Sequence, residues 1–183
     1  MKELKNSLDF IKKSKKQIYI ISAIFLSFIF IGFLFPVLEE ELLKIISEMQ
    51  KLFEGLNLWQ TILLIFINNS RACLIAIISG ISLGIFPIII TLSNGYLIGF
   101  VSNIVTKKSS LLELWRLFPH GIFEIPAVLI SLGIGLFLGI DLIKNKKNFF
   151  SNFEKSLKTF ILIILPLLIL AAIIEGVLIF YLN

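Results

Sequence analysis

The sequence predicts an all-α fold: a polytopic membrane helical bundle of about five transmembrane helices plus one amphipathic outer helix. Hydropathy, the spacing of apolar runs and the placement of lysines predict it. Mean hydropathy is +0.99. Of the 183 residues, 57% are hydrophobic and only 16% charged, which suits neither a soluble domain nor a disordered chain. The apolar residues fall into runs close to the roughly 20 residues that a helix needs to cross a bilayer. No linker, low-complexity segment or soluble domain interrupts them, so residues 1–183 read as a single integral membrane domain.

The first run spans 18–38. It follows Lys2, Lys5, Lys12, Lys13, Lys15 and Lys16, is longer than a signal-peptide core and lacks a small-residue cleavage site. It reads as an uncleaved first helix ending near Pro36. Residues 39–56 differ in character: Leu42, Ile45, Ile46, Met49 and Phe53 recur at helical spacing among charges, behind Glu39, Glu40 and Glu41. An acidic start suits a helix N-terminus. The segment is too short and too charged to cross, and is expected on the outer surface or docked on the bundle. The second run, 58–79, opens with Trp59, a residue suited to a membrane interface. The third, 81–105, is separated from it by an uncharged turn. The fourth, 111–140, follows a polar loop at Lys107 and Lys108. A basic loop with Lys144, Lys146, Lys147, Lys155 and Lys158 leads to the fifth, 160–182.

Lysine placement sets the expected orientation. With the N-terminus cytoplasmic, five crossings leave the lysines of both the tail and the basic loop inside and the C-terminus outside, in accord with the positive-inside rule. A sixth crossing, from splitting the fourth run at Pro119–Pro126, would export the basic loop; a re-entrant dip there stays open. The excess of 17 Lys+Arg over 12 Asp+Glu therefore reports topology, and nucleic acid is not expected as a partner. The lone Cys73 has no disulfide or thiolate-zinc partner.

The polar groups inside the runs carry the functional signal, because ionisable side chains at membrane depth are costly. The only histidine, His120, stands four residues before Glu124, on the same face if the segment is helical. A proton relay, part of a metal site, an anchor for a polar ligand and a hydrogen bond that locks the fold are all compatible with the pair. A metal needs three or four ligands, and one histidine does not supply them, so no metal and no cofactor is expected. Arg71 calls for a carboxylate, with Glu124 or Glu175 as candidates, or snorkels to headgroups. Asn69 suits a hydrogen bond between helices. Asn94-Gly95 suggests either an unwound stretch or a glycine contact where another helix packs closely, and Pro119, Gly121 and Pro126 suggest a broken helix. The candidate polar centre is thus Asn69, Arg71, Asn94, His120, Glu124 and Glu175, with helix breaks at Gly95, Pro119, Gly121 and Pro126. Gly133-x-Gly135-x-x-x-Gly139 offers a small-residue face for self-association, a dimer included. No nucleophile-base arrangement and no phosphate-binding glycine loop is visible, so no enzyme activity is expected.

Asn69-x-Arg71, a hairpin with Gly80 and Gly84, Asn94-Gly95-x-x-x-Gly99 and Pro119-His120-Gly121-x-x-Glu124 occur in that order. Together they resemble the stage II sporulation protein M family of integral membrane proteins, over roughly residues 18–182. In spore-forming bacteria the resemblance implies a membrane scaffold that recruits peptidoglycan-degrading partners; relatives also occur in bacteria and archaea that do not sporulate. Two functions are carried forward: a scaffold or assembly factor for membrane or extracytoplasmic partner proteins, and a transporter or channel component built around His120 and Glu124.

Overall fold

The computed structural model describes residues 2–37, 39–108, 118–144 and 146–182, and these contain helices and turns but no strand. Eight helices follow one another among these residues: α1 (Lys2–Lys13), α2 (Lys15–Leu34), α3 (Glu39–Lys51), α4 (Leu58–Ile78), α5 (Ile85–Lys108), α6 (Phe118–Lys144), α7 (Lys146–Thr159) and α8 (Leu165–Leu182). Five helical stretches are long and apolar enough to cross a membrane: α2, α4 with its following turn, α5, α6, and α7 continued into α8. In α6, 56% of the apolar window is buried, against 17–28% in the other four, so α6 is the central helix of the bundle.

Glycines set the closest approaches. α2 and α5 lie side by side and run parallel: Gly32 faces the Tyr96 carbonyl, Gly95 faces Phe25 and Gly99 faces Ile29. A side chain at Gly95 would meet the Phe25 carbonyl oxygen at 2.7 Å, which explains why only glycine fits there. On the other side of the bundle, Gly135 of α6 faces the Ala76 carbonyl, and Gly80 faces the Gly135 carbonyl. Gly139 packs on the α4–α5 turn at Gly84, and Gly133 packs on Ile18 of α2. The face of Gly133, Gly135 and Gly139 that the sequence offers for self-association is therefore occupied by helices of the same chain. Between these contacts, Ile21, Ala76, Leu132 and Leu136 form one buried cluster. Phe10, Cys73, Ile77, Ala127, Ile134, Leu138, Phe149, Phe160, Ile164 and Leu168 form another.

The expected helix breaks are not formed. Asn94 and Gly95 lie inside the continuous α5, where Gly95 serves the contact with α2 rather than a turn. Gly121 and Pro126 lie inside the continuous α6. Pro119 is helical at the start of the described part of α6, and whether the chain breaks before it lies outside the described residues. No re-entrant turn occurs over 118–144; residues 111–117 of the expected fourth run lie outside the described residues, as do the side chains of Pro119 and His120. The backbone instead departs from the α-helix at two other places. The α4–α5 turn has Leu83 at φ 59° and Gly84 at φ 84°, two left-handed residues in succession after the 3₁₀ turn Ser79–Ser82. A π turn over Phe160–Ile164 precedes Pro166 and accommodates it, with the Leu165 N–H bonded to the Phe160 carbonyl.

The two lysine-rich segments, expected as a tail and a loop, are helices. α1 buries Ser7 and Phe10, and α7 buries Phe149, Asn152, Ser156 and Thr159. These residues recur at three- and four-residue spacing, which gives each helix one face to pack on the other while its lysines point to solvent. α3, at the opposite end, has acidic residues in its first turn and Lys51 in its last, matching the helix dipole. None of its described side chains is buried, and among the described residues it packs closely on no other helix.

Candidate functional site

α6 carries one polar cluster near each end. At the end shared with α1 and α7, Asp141 is buried and accepts a hydrogen bond from Asn152 Nδ2 at 2.7 Å. Asn152, 2% exposed, uses its carbonyl to accept from Lys13 Nζ at 3.1 Å. The Lys13 ammonium also lies 5.3 Å from the centre of the Phe137 ring. One asparagine thus bridges an acid on α6 and a base on α1, and both of its polar ends are used. The sequence reading missed this cluster. Asp141 stands at the end of an apolar run and Asn152 in a polar stretch, so neither is conspicuous until α7 folds back on α6.

The second cluster lies at the end shared with α3, where α4, α6 and α8 pack together. Glu124 sits about two turns inside the start of α6, and Glu175 about two turns before the end of α8. α8 runs opposite to α4, with Gly176 against Ile62, which brings Glu175 to the depth of Glu124. The two carboxyls lie close enough for the charge of Glu124 to act on Glu175. The charge of Glu124 also acts on the buried Cys73, whose thiol is within reach of the Ser131 hydroxyl. Ser131 itself donates to the Ala127 carbonyl at 2.7 Å. Ser70 Oγ and Glu175 Oε2 are buried with no hydrogen-bond partner among the described residues.

The six residues expected to form one polar centre are distributed differently. Glu124 and Glu175 lie within range of each other's charge, and Glu124 within range of Cys73. His120 stands one helical turn before Glu124 on the α6 backbone; its side chain lies outside the described residues. Arg71 is exposed on the outside of α4 and forms no ion pair among the described residues, so the expected buried pair with Glu124 or Glu175 is not made. Asn69 is half-buried on α4. Asn94 is half-buried on α5, which packs on α2 and α6 but not on α8, and it is not part of the cluster. Among the described residues no group of three His, Cys, Asp or Glu side chains converges as metal ligands would.

α5 contributes two further polar contacts that the sequence did not announce. The Tyr96 hydroxyl accepts from the Val37 N–H at 2.7 Å and lies 2.8 Å from the Phe35 carbonyl. Asn103 Nδ2 donates to the Phe33 carbonyl at 2.7 Å. Both satisfy backbone groups where α2 ends, which otherwise lack intrahelical partners.

Five apolar helices around a polar cluster define a multi-pass membrane protein. The chain belongs to the stage II sporulation protein M family, whose profile matches residues 21–178. It is also similar to the uncharacterized protein MJ0706 of Methanocaldococcus jannaschii, with 32% identity over 127 residues covering 65% of this chain. The matched part is 56% of that protein, so the chain spans little more than half of its relative. No solved structure matches the chain.

Proposed function

We propose that this protein is a membrane scaffold that holds partner proteins, with α1 and α7 in the cytoplasm and α3 outside. The observation that carries this reading is the contrast between a tightly closed bundle and a helix left out of it. α3 has the apolar repeat of a packing helix, with Ile45 exposed, yet among the described residues it packs closely on no other helix. An amphipathic helix in that condition is suited to a partner protein or to the membrane surface. The lysines of α1 and α7 favour the cytoplasm for their end of the bundle. The reading gives the chain no catalytic step and no cofactor.

Crosslinking and mass spectrometry in native membranes tests it. The expected result is a stoichiometric partner joined to residues 39–51, lost in Ile45→Glu while the melting temperature holds. Recovery of self-crosslinked chains alone would overturn the scaffold reading. One observation favours a second reading, a transport component: Glu175 Oε2 is buried with no hydrogen-bond partner among the described residues, within range of the charge of Glu124. That reading expects Glu124→Gln to abolish ion flux in liposomes without unfolding the protein.

A further inference from the structure

α4 presents an arginine to the outside of the bundle at the middle of its span. Arg71 lies about 13 residues from Leu58 and about 11 from Ser82, the ends of this helical stretch. At 1.5 Å per residue these are roughly 20 and 17 Å. The hydrocarbon core is about 30 Å thick, so Arg71 starts near its midplane. Snorkelling relieves charges near helix ends, and Arg71 is far from both. A guanidinium at that depth ordinarily faces a bundle interior or water. Here it faces outward and is exposed, as is Asn68 beside it.

Large apolar residues fill the rest of that face, which a lipid chain or a helix would cover. Trp59, Leu63, Ile67, Arg71 and Ile75 recur every four residues and form one exposed stripe. Next to the stripe, between α4 and α8, runs an apolar groove of about 390 Å³ that includes Phe66, Ile169 and Ile173.

We propose that this face of α4 docks a transmembrane helix of a partner protein, and that the helix carries a carboxylate at the depth of Arg71. The charge of Arg71 determines the chemistry of the occupant. The chain's own carboxylates in this region, Glu124 and Glu175, are carried by α6 and α8, and Arg71 makes no ion pair with either. A second copy related by an axis along the membrane normal would set Arg71 against Arg71 at the same depth and supply no free acid, so like-charge repulsion disfavours it. A lipid chain fills the groove but leaves the guanidinium uncompensated. The inference rests on the scaffold reading, for which it names the intramembrane partner.

The test places a photo-crosslinking amino acid at Ile75, one turn from Arg71, in the full chain in native membranes. It compares three backgrounds: wild type, Arg71→Lys and Arg71→Leu. The expected adduct is with a membrane-spanning peptide that contains an Asp or Glu. Arg71→Lys keeps it. Arg71→Leu lowers its yield by about thirtyfold or more, the low end for removing one partner of a buried charge pair. The purified Arg71→Leu protein melts no earlier than wild type, because Arg71 is exposed and makes no ion pair among the described residues. Reversing both charges, with Arg71→Glu and a lysine at the partner's acid, restores the adduct. Adducts with lipid alone or with a second copy would overturn the proposal, as would an adduct that survives Arg71→Leu. A second probe at Ile45 separates the two ideas: partner adducts from Ile45 but not Ile75 reject this docking face and leave the scaffold standing, whereas adducts from neither reject both.

Discussion

The two polar clusters on α6 differ in how completely they are satisfied. At the α1–α7 end, Asp141, Asn152 and Lys13 bond to one another, and the bridging amide uses both its donor and its acceptor. At the α3 end, Glu124 and Glu175 lie near each other while Ser70 Oγ and Glu175 Oε2 have no partner among the described residues. A satisfied buried network holds helices in one arrangement, since breaking any member strands the others. An unsatisfied one contributes little to holding the fold and retains bonding capacity for something else. The first cluster therefore reads as a lock, and the second does not.

The largest expected effect comes from moving α6 itself, which carries both clusters. In Gly135→Leu the new side chain would enter the backbone of α4 at Ala76. The expected cost exceeds about 3 kcal/mol, the upper part of the overpacking range. Folded, monodisperse protein in detergent should fall to near zero, and normal recovery would show that the α4–α6 contact is not structural.

Breaking the lock comes next. Asn152→Leu leaves Asp141 buried without its donor, at a cost of about 2–3 kcal/mol. The melting temperature in detergent measures this loss, and an unchanged value would remove the distinction between the clusters. Glu175→Gln at the other end should change stability by less than about 1 kcal/mol in either direction, because Oε2 has no bond to lose. Partner capture or flux, whichever the protein performs, should change nonetheless. A large loss of stability in Glu175→Gln would make the second cluster a lock as well.

The smallest effect is expected on the surface of α7. The Lys158 ammonium lies 2.9 Å from the Glu154 carboxylate and, by hydrogen bonding and charge, holds that carboxyl below its usual range. A depressed carboxyl contributes stability above its ordinary titration range, and the contribution disappears as pH falls through the depressed value. Both groups are exposed, so solvent screens the pair. Lys158→Ala should leave melting curves indistinguishable from wild type at neutral and acid pH. A pH-dependent difference would show that the Lys158–Glu154 pair is less solvated than its exposure implies.

Much of the bundle was legible in the chain because hydropathy and lysine placement are local properties. The amphipathic stretch after the first run was legible too, since its period is written in five apolar residues. The candidate site was legible only in part. Glu124 and Glu175 stand out as ionisable residues in apolar runs, and the structure brings them together. Asp141 and Asn152 do not stand out, because their burial depends on α7 folding back on α6. Gly95 and Pro126 mislead when read locally: a turn signal and a helix breaker sit in continuous helices, where close packing outweighs intrinsic preference.

The sequence by itself determined that this is an all-α membrane protein, which stretches are long enough to span, and which family it belongs to, because apolar length and ordered motifs require no knowledge of neighbours. Only the tertiary structure decided what the polar residues and glycines do. Gly133, Gly135 and Gly139 serve contacts within the chain, Arg71 faces outward, and the two carboxyls meet across α6 and α8. The physical reason is that a helix presents residues in every direction around its axis, and only the packing of its neighbours decides which of those directions is interior.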